Sequence, residues 1–345
     1  MRARADAGKR FVPGHALLAP ARAGVTLRGM HRRAFLHSTS ALAALATLPV
    51  ARAAAPKGRR KFTLALTPGS IGVSVKSQRE LNDLAHRHRF ESVEPRGEEL
   101  AGLAPAQVDD ILADLKAKQL SWSATGLPVD FRKDDATFRE GLARLPRIAA
   151  ALRAAGSTRI GTWLAPSHDQ LTYNQNFKQH AARLREVARI LADHGQRLGL
   201  EYVGTQLLLV GKRYPFVHTL AEARELIAAI GAPNVGLVLD TWHWWTAGDT
   251  TADLLALKNE DVISVDLNDA PLGVAKEQQR DNARELPAAT GVIDAAAFVN
   301  ALVQIGYDGP VRPEPFNAVL NALDNEAACA ATSTAMHKAA ALVRA

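Results

Sequence analysis

In the second half of this 345-residue chain, four short apolar runs each carry an acid at or near their end. LGLEYVG holds Glu201, VGLVLD closes on Asp240, VISVDLND holds Asp266 and Asp269, and PVRPEPF holds Glu314. If these runs are neighbouring strands they lie about 4.8 Å apart, and inward-facing acids on them converge on one point. Uncompensated, such carboxylates repel one another and lose their hydration at a cost of several kcal/mol, which a divalent cation removes. The competing reading is that individual acids face outward or pair with a nearby arginine such as Arg312.

The run before Asp240 continues into Thr241-Trp242-His243-Trp244-Trp245, so an acid, an imidazole and flat aromatic surface follow one strand end. In a parallel α/β barrel that end is where chemistry is built. The plainer alternative is that Asp240 caps a helix and the tryptophans fill the core.

The elements that must position these residues alternate from Lys61 onward. Strands are predicted at 62–66, 91–94, 120–124, 159–164, 198–203, 235–239, 262–267 and 309–313. Between them, apolar residues at three- and four-residue steps predict helices over 77–88, 105–118, 138–155, 176–198, 219–230, 251–257 and 294–305. Thr219 with Glu222 forms a capping box, and Gly231 and Gly306 close two helices. Eight βα units predict a closed (β/α)8 TIM barrel, followed by an extra C-terminal helix over 325–344. An open doubly wound sheet is the runner-up, weakened because no Gly-x-Gly-x-x-Gly follows the first strand.

The N-terminal segment reads as a leader over 1–56, leaving a barrel domain over 57–345. Arg32 and Arg33 stand before Phe35-Leu36, an uncharged 13-residue run covers 38–50, and Ala51-Arg52-Ala53 is a small-x-small cleavage pattern. The arginine pair resembles the twin-arginine export signal, which implies passage through the twin-arginine translocase, cleavage near Ala53 and a periplasmic product. Met30 is the expected start. The apolar run is shorter than the roughly 20 residues of a membrane span, so no stable membrane anchor is expected. The chain carries +7 and its first 53 residues +8, which leaves −1 for the other 292. The pI of 9.7 therefore reflects the leader, and no basic excess recommends nucleic acid as a partner. One cysteine, Cys329, excludes an intrachain disulfide and a cysteine-based zinc cluster.

From about Phe62 to Phe316 the chain resembles the xylose isomerase-like TIM barrels of the sugar phosphate isomerase/epimerase superfamily. The superfamily also holds ketose 3-epimerases, inosose dehydratases and apurinic endonucleases. GLEYVG, LVLDTWHWW, VDLNDAP, TGVID and EPF carry the resemblance, in the family's order and spacing. It implies a metal held by Glu201, Asp240, Asp266 and Glu314, with His243 on substrate. The family's histidine on the seventh strand is Asp266 here, so either the site is an all-oxygen one or Asp266 does not bind and water replaces it. Four oxygen donors favour Mn²⁺ or Mg²⁺ over Zn²⁺ and disfavour the endonuclease branch. A bound cation polarises a hydroxyketone, and Glu201 and Glu314 become the acid and base that move the adjacent carbon-bound proton.

The expected activity is an exported, metal-dependent isomerase or epimerase of a sugar or ketosugar, acting through an enediolate. With no Gly-rich phosphate cradle, an unphosphorylated substrate is expected. The alternatives are a lyase or dehydratase of a keto-sugar or cyclitol, and a catalytically inactive sugar-binding barrel. Glu94, Trp163, Asp269 and Arg284 are further candidates for substrate contact, Arg284 as part of a lid.

Overall fold

The computed structural model describes residues 59–344. The expected leader, its arginine pair and its cleavage site lie outside the described residues.

The strands are β1 (Thr63–Leu66), β2 (Ser92–Val93), β3 (Ser121–Trp122), β4 (Thr125–Gly126), β5 (Arg159–Trp163), β6 (Ser167–His168), β7 (Arg197–Glu201), β8 (Tyr214–Pro215), β9 (Val235–Asp240), β10 (Val262–Leu267) and β11 (Pro310–Pro313). Nine of them form one sheet in the order β3-β2-β1-β11-β10-β9-β7-β5-β4, every neighbouring pair parallel. The two ends of that order are separated by only Ser123 and Ala124, so one chain segment joins the sheet's edges and the sheet curls into a TIM barrel. The Ser123 amide still bonds Val93 on one side, while Leu127 bonds Gly161 on the other. All eight predicted strands are present, the third one split where it changes partner.

Composition explains the centre of the sheet. β9 and β10 are valine-, leucine- and isoleucine-rich and buried along their whole length, as strands covered on both faces must be. The barrel interior is filled: a Cβ on Gly199 would meet Val238 Cγ2 at 2.7 Å and Ile263 Cβ at 2.9 Å. Helices cover the outside through apolar stripes, as Leu184, Val187, Ala188 and Leu191 do on the helix Tyr173–Asp193. Each such leucine or valine contributes about 1.5–3 kcal/mol by leaving water.

Local signals set most helix ends. Thr219 and Glu222 make the expected capping box, and Gly231 closes that helix at φ 67°. Several boundaries differ from expectation, among them that of the C-terminal helix, which ends at Ala340 and not at 344. The predicted 176–198 helix runs Tyr173–Asp193, because Gly195 takes φ 67° and turns the chain into β7. The predicted 138–155 helix starts at Asp135, where the Asp134 carboxylate accepts from the Thr137 amide at 2.9 Å. The antiparallel pair of β6 and β8 has no periodic signature in two residues each and was not foreseen. The C-terminal helix, Asn325–Ala340, packs on the helix Gln78–Arg87, with Glu326 bonded to Arg87 and His88. Among the described residues no helix is long and apolar enough to cross a membrane.

Candidate active site

Register builds the floor of the site. Asp240, Asp266 and Arg312 stand opposite one another across β9, β10 and β11, so their side chains form one row on one face. Glu201 ends β7 opposite Trp163, and Glu314 follows β11 directly. Glu201, Asp240, Asp266 and Glu314 each offer an oxygen, all within 4.8 Å of one another; Glu201, Asp240 and His243 form a second such group. The four acids of the sequence therefore converge. Above them opens a cavity of about 460 Å³, with Glu201, His243, Arg284 and Glu314 below and Trp163 and Phe316 on its wall.

Both readings of Asp240 hold together. Its Oδ1 caps the helix Thr241–Ala247, accepting from the amides of Trp242 at 2.5 Å and His243 at 3.2 Å. Its Oδ2 accepts from Arg284 Nη1 at 2.9 Å and from Asn268 Nδ2 at 3.0 Å. Trp242 and Trp244 are buried, and their ring N–H groups donate to Thr205 Oγ1 and the Thr250 carbonyl.

Two arginines lie among the acids. Arg284, 1% exposed, also donates to Glu314 Oε2 at 3.0 Å and to Asp281 Oδ1 at 2.7 Å. Its guanidinium lies 5.4 Å from the Trp242 ring centre and 5.2 Å from that of Phe316. Phe316 takes φ 43°, a left-handed backbone rare for a bulky residue. Arg312 grips Asp266 by both carboxylate oxygens. Among the described residues Glu201 has no such partner: its Oε1 is buried without a hydrogen bond.

Five carboxyl groups, including Asp281, thus face two guanidinium groups. Burial, then Glu314, pushes the Glu201 carboxyl well above its ordinary range. Burial, then Asp266, does the same to Glu314 against the pull of Arg284. Asp266 is raised by burial despite Arg312. Burial also raises Asp281, but Arg284 and then His243 outweigh it and hold that carboxyl low. Burial brings the His243 ring down to about 4, with Asp240 and Asp281 opposing and Arg284 assisting. The neutral ring accepts from the Gly204 amide at Nδ1, 3.3 Å away.

A divalent cation fits this donor set. Glu201 Oε1 is an orphaned buried oxygen, the acids outnumber the arginines, and desolvated carboxylates in excess are what a hard cation compensates. Glu201, Asp240 and Glu314 are the residues that would hold it. Asp266 belongs to the cluster, but Arg312 already occupies both of its oxygens.

Trp163, 47% exposed, presents its ring to the cavity, backed by the Arg132 guanidinium 4.3 Å from its centre. His243 and Arg284 also line the cavity; Arg284, offered by the sequence as part of a lid, is instead buried among the acids. Two candidates do not reach it. Asp269 is fully buried and accepts from the amides of Ala270, Thr290, Gly291 and Ile293 at 2.8–3.0 Å, so it ties down the TGVID turn and is corrected to an anchor. It stands two residues past the end of β10, where strand alternation no longer aims side chains inward. Glu94 lines a separate cavity of about 280 Å³ beside Arg96. Sequence reasoning missed Asp281, Asn268 and Phe316. Only Asp281 had a signal, its three-residue spacing from Arg284.

Residues 83–338 match the profile of the xylose isomerase-like TIM barrel family. An inosose isomerase of Bacillus velezensis is 24% identical over 242 residues, covering 68% of this chain and 81% of the relative. A xylose isomerase domain protein from Alicyclobacillus acidocaldarius superposes with a TM-score of 0.71 at 32% identity, over 81% of this chain and 99% of the other. The IOLI protein, solved with a binding zinc atom, gives 0.66 at 19% identity over 81% and 98%, a likeness of fold.

Proposed function

The chain belongs to the xylose isomerase-like TIM barrel family, and on that premise we propose that it is a metal-dependent isomerase or epimerase of a sugar-derived hydroxyketone. The observation that carries this reading is the convergence of Glu201, Asp240 and Glu314, two of which, Glu201 and Glu314, line a sugar-sized cavity, with Glu201 Oε1 buried and unpaired among the described residues. The inosose isomerase relative supports the substrate class. The excess of oxygen donors supports Mn²⁺ or Mg²⁺, although the metal of the IOLI structure is zinc.

A bound divalent cation supplies polarisation of the substrate carbonyl. This chain's residues do the rest. Glu201, buried, and Glu314, partly buried, both raised, exchange a proton with the carbon beside that carbonyl: one carboxylate removes it and the other, protonated, returns one. His243, neutral, offers a ring N–H to a substrate oxygen, and Trp163 offers a flat face to the sugar ring. The arginine pair Arg32-Arg33 supports delivery to the periplasm, where unphosphorylated substrates are available.

The test is solvent exchange. Mn²⁺-loaded protein is incubated in deuterated water with ketoses and keto-glycosides, and the C–H signal beside each carbonyl is followed by NMR. Chelation-sensitive deuterium incorporation is expected. Exchange accompanied by loss of water or of an aglycone would assign a lyase instead. No exchange with metal bound would leave a sugar-binding barrel.

A further inference from the structure

The Asp240 carboxylate is already full. A carboxylate has about four lone-pair sites, and five contacts meet them: the Trp242 and His243 amides and Asn268 at Oδ1, Asn268 and Arg284 at Oδ2. Two of the three Oδ1 donors are amides of the helix that starts there, so Oδ2 is the oxygen a cation can take. Arg284 Nη1 holds it at 2.9 Å, and holds Glu314 Oε2 at 3.0 Å. The Asp240 oxygen open to a metal is thus one this guanidinium occupies, and the same nitrogen holds one of the two Glu314 oxygens.

We propose that Arg284 is an internal counter-ion that competes with the divalent cation, so that metal binding and withdrawal of its Nη1 from Asp240 and Glu314 are one coupled event. This rests on the metal-dependent reading above. Two further contacts support it. Arg284 Nη2 faces His243 Nε2 at 3.3 Å while the Gly204 amide faces Nδ1. A neutral imidazole has one acceptor nitrogen, so one of these contacts sets donor against donor, and the inner position of the guanidinium is imperfectly satisfied. The Arg284 amide is held by the Pro315 carbonyl at 3.1 Å, and Nη2 and Nε are held by Asp281 Oδ1 and the Asp281 carbonyl, both at 2.7 Å. Because the guanidinium is one rigid plane, Nη1 leaves Asp240 and Glu314 only as the whole group swings and its Asp281 contacts readjust, while the backbone stays in place. In the metal-free protein the same group offsets the repulsion of Asp240 and Glu314.

The experiment titrates Mn²⁺ alone, without substrate, into metal-free wild type, Arg284→Met and Arg284→Lys, by calorimetry and by thermal melting. Competition predicts that Arg284→Met binds Mn²⁺ about 5- to 150-fold more tightly than wild type, the usual range of coupling between two bound groups. Arg284→Lys should fall between. Metal-free Arg284→Met should melt below wild type and gain more from Mn²⁺ than wild type does. If Arg284→Met fails to fold, side-chain ¹⁵N NMR of arginine-labelled wild type gives the same answer: Mg²⁺ should shift the Arg284 signal and leave that of Arg312 in place. Wild type that binds Mn²⁺ while a folded Arg284→Met binds it equally or more weakly overturns the competition but leaves the metal-dependent reading standing, as does an unmoved Arg284 signal. Failure of every form to bind metal overturns both.

Discussion

Arg312 pairs with Asp266 directly across β11 and β10, Nε to Oδ1 at 2.7 Å and Nη2 to Oδ2, with Asp266 only 1% exposed. One acid of the converging cluster thus has its own resident counter-ion. Breaking a buried pair from one side strands the other charge, at about 3–5 kcal/mol. Arg312→Met should cost that much by urea unfolding, and Arg312→Met with Asp266→Leu should recover most of it. An additive double variant would show that the two residues are not energetically coupled.

Metal affinity should follow the same division. Asp240→Asn should weaken Mn²⁺ binding by at least about 100-fold, whereas Asp266→Asn, whose oxygens are taken by Arg312, should change it by less than about tenfold. Equal losses in calorimetry would restore Asp266 as a full ligand.

Glu201→Gln and Glu314→Gln should each slow deuterium exchange by about 10² to 10⁴. Each must first be shown to retain Mn²⁺, so that the loss reports a base and not an ion. Normal exchange in either metal-loaded variant removes that glutamate from the proton path.

Gly204→Ala should destabilise the protein by about 1–3 kcal/mol. The added methyl would meet the His243 carbonyl oxygen at 2.5 Å and the Ala247 amide at 2.7 Å, pushing on the helix that carries His243. A melting temperature equal to wild type would mean that this helix shifts freely.

The Glu94 carboxyl is pushed up to about 7, by burial first and Asp266 second, against Arg312 and Arg96. A folded pKa above the unfolded one makes stability greatest below the unfolded value and lost as pH rises through the folded value. Metal-free wild type should therefore lose up to about 3 kcal/mol relative to Glu94→Gln between pH 4.5 and 7. Parallel stability profiles for the two proteins would contradict the shift.

Local pattern made the strands legible: VGLVLD and VISVDL are buried from end to end, and the sequence says so through composition alone. The convergence of Glu201, Asp240, Asp266 and Glu314 was legible for the same reason, because each acid stands at a strand end. Register was not. That Arg312 lies opposite Asp266 depends on how two strands distant in sequence slide past each other, which neither strand encodes by itself. Asp269 shows the complementary failure: three residues from Asp266, it has the same chemistry in the sequence but lies outside the alternation that aims side chains inward. The helix Tyr173–Asp193 was overrun because the apolar spacing continues through Leu198, while the break is made by backbone geometry at Gly195.

The hand-over of pairing between Ser121 and Gly126 divides the barrel mechanically. β7, β9, β10 and β11, which position the acids, are bonded on both edges, with β10 at the middle of the order and one register shift between Val262 and Ser264 where it meets β9. The seam lies at the other side of the ring, where two dipeptides and two linking residues carry the closure. Amides that open through local fluctuation should exchange with solvent at that seam well before those of β9 and β10. The wall holding the charges is the stiff half of the cylinder, and whatever breathing the cylinder does is borne by the half that holds none of the converging acids.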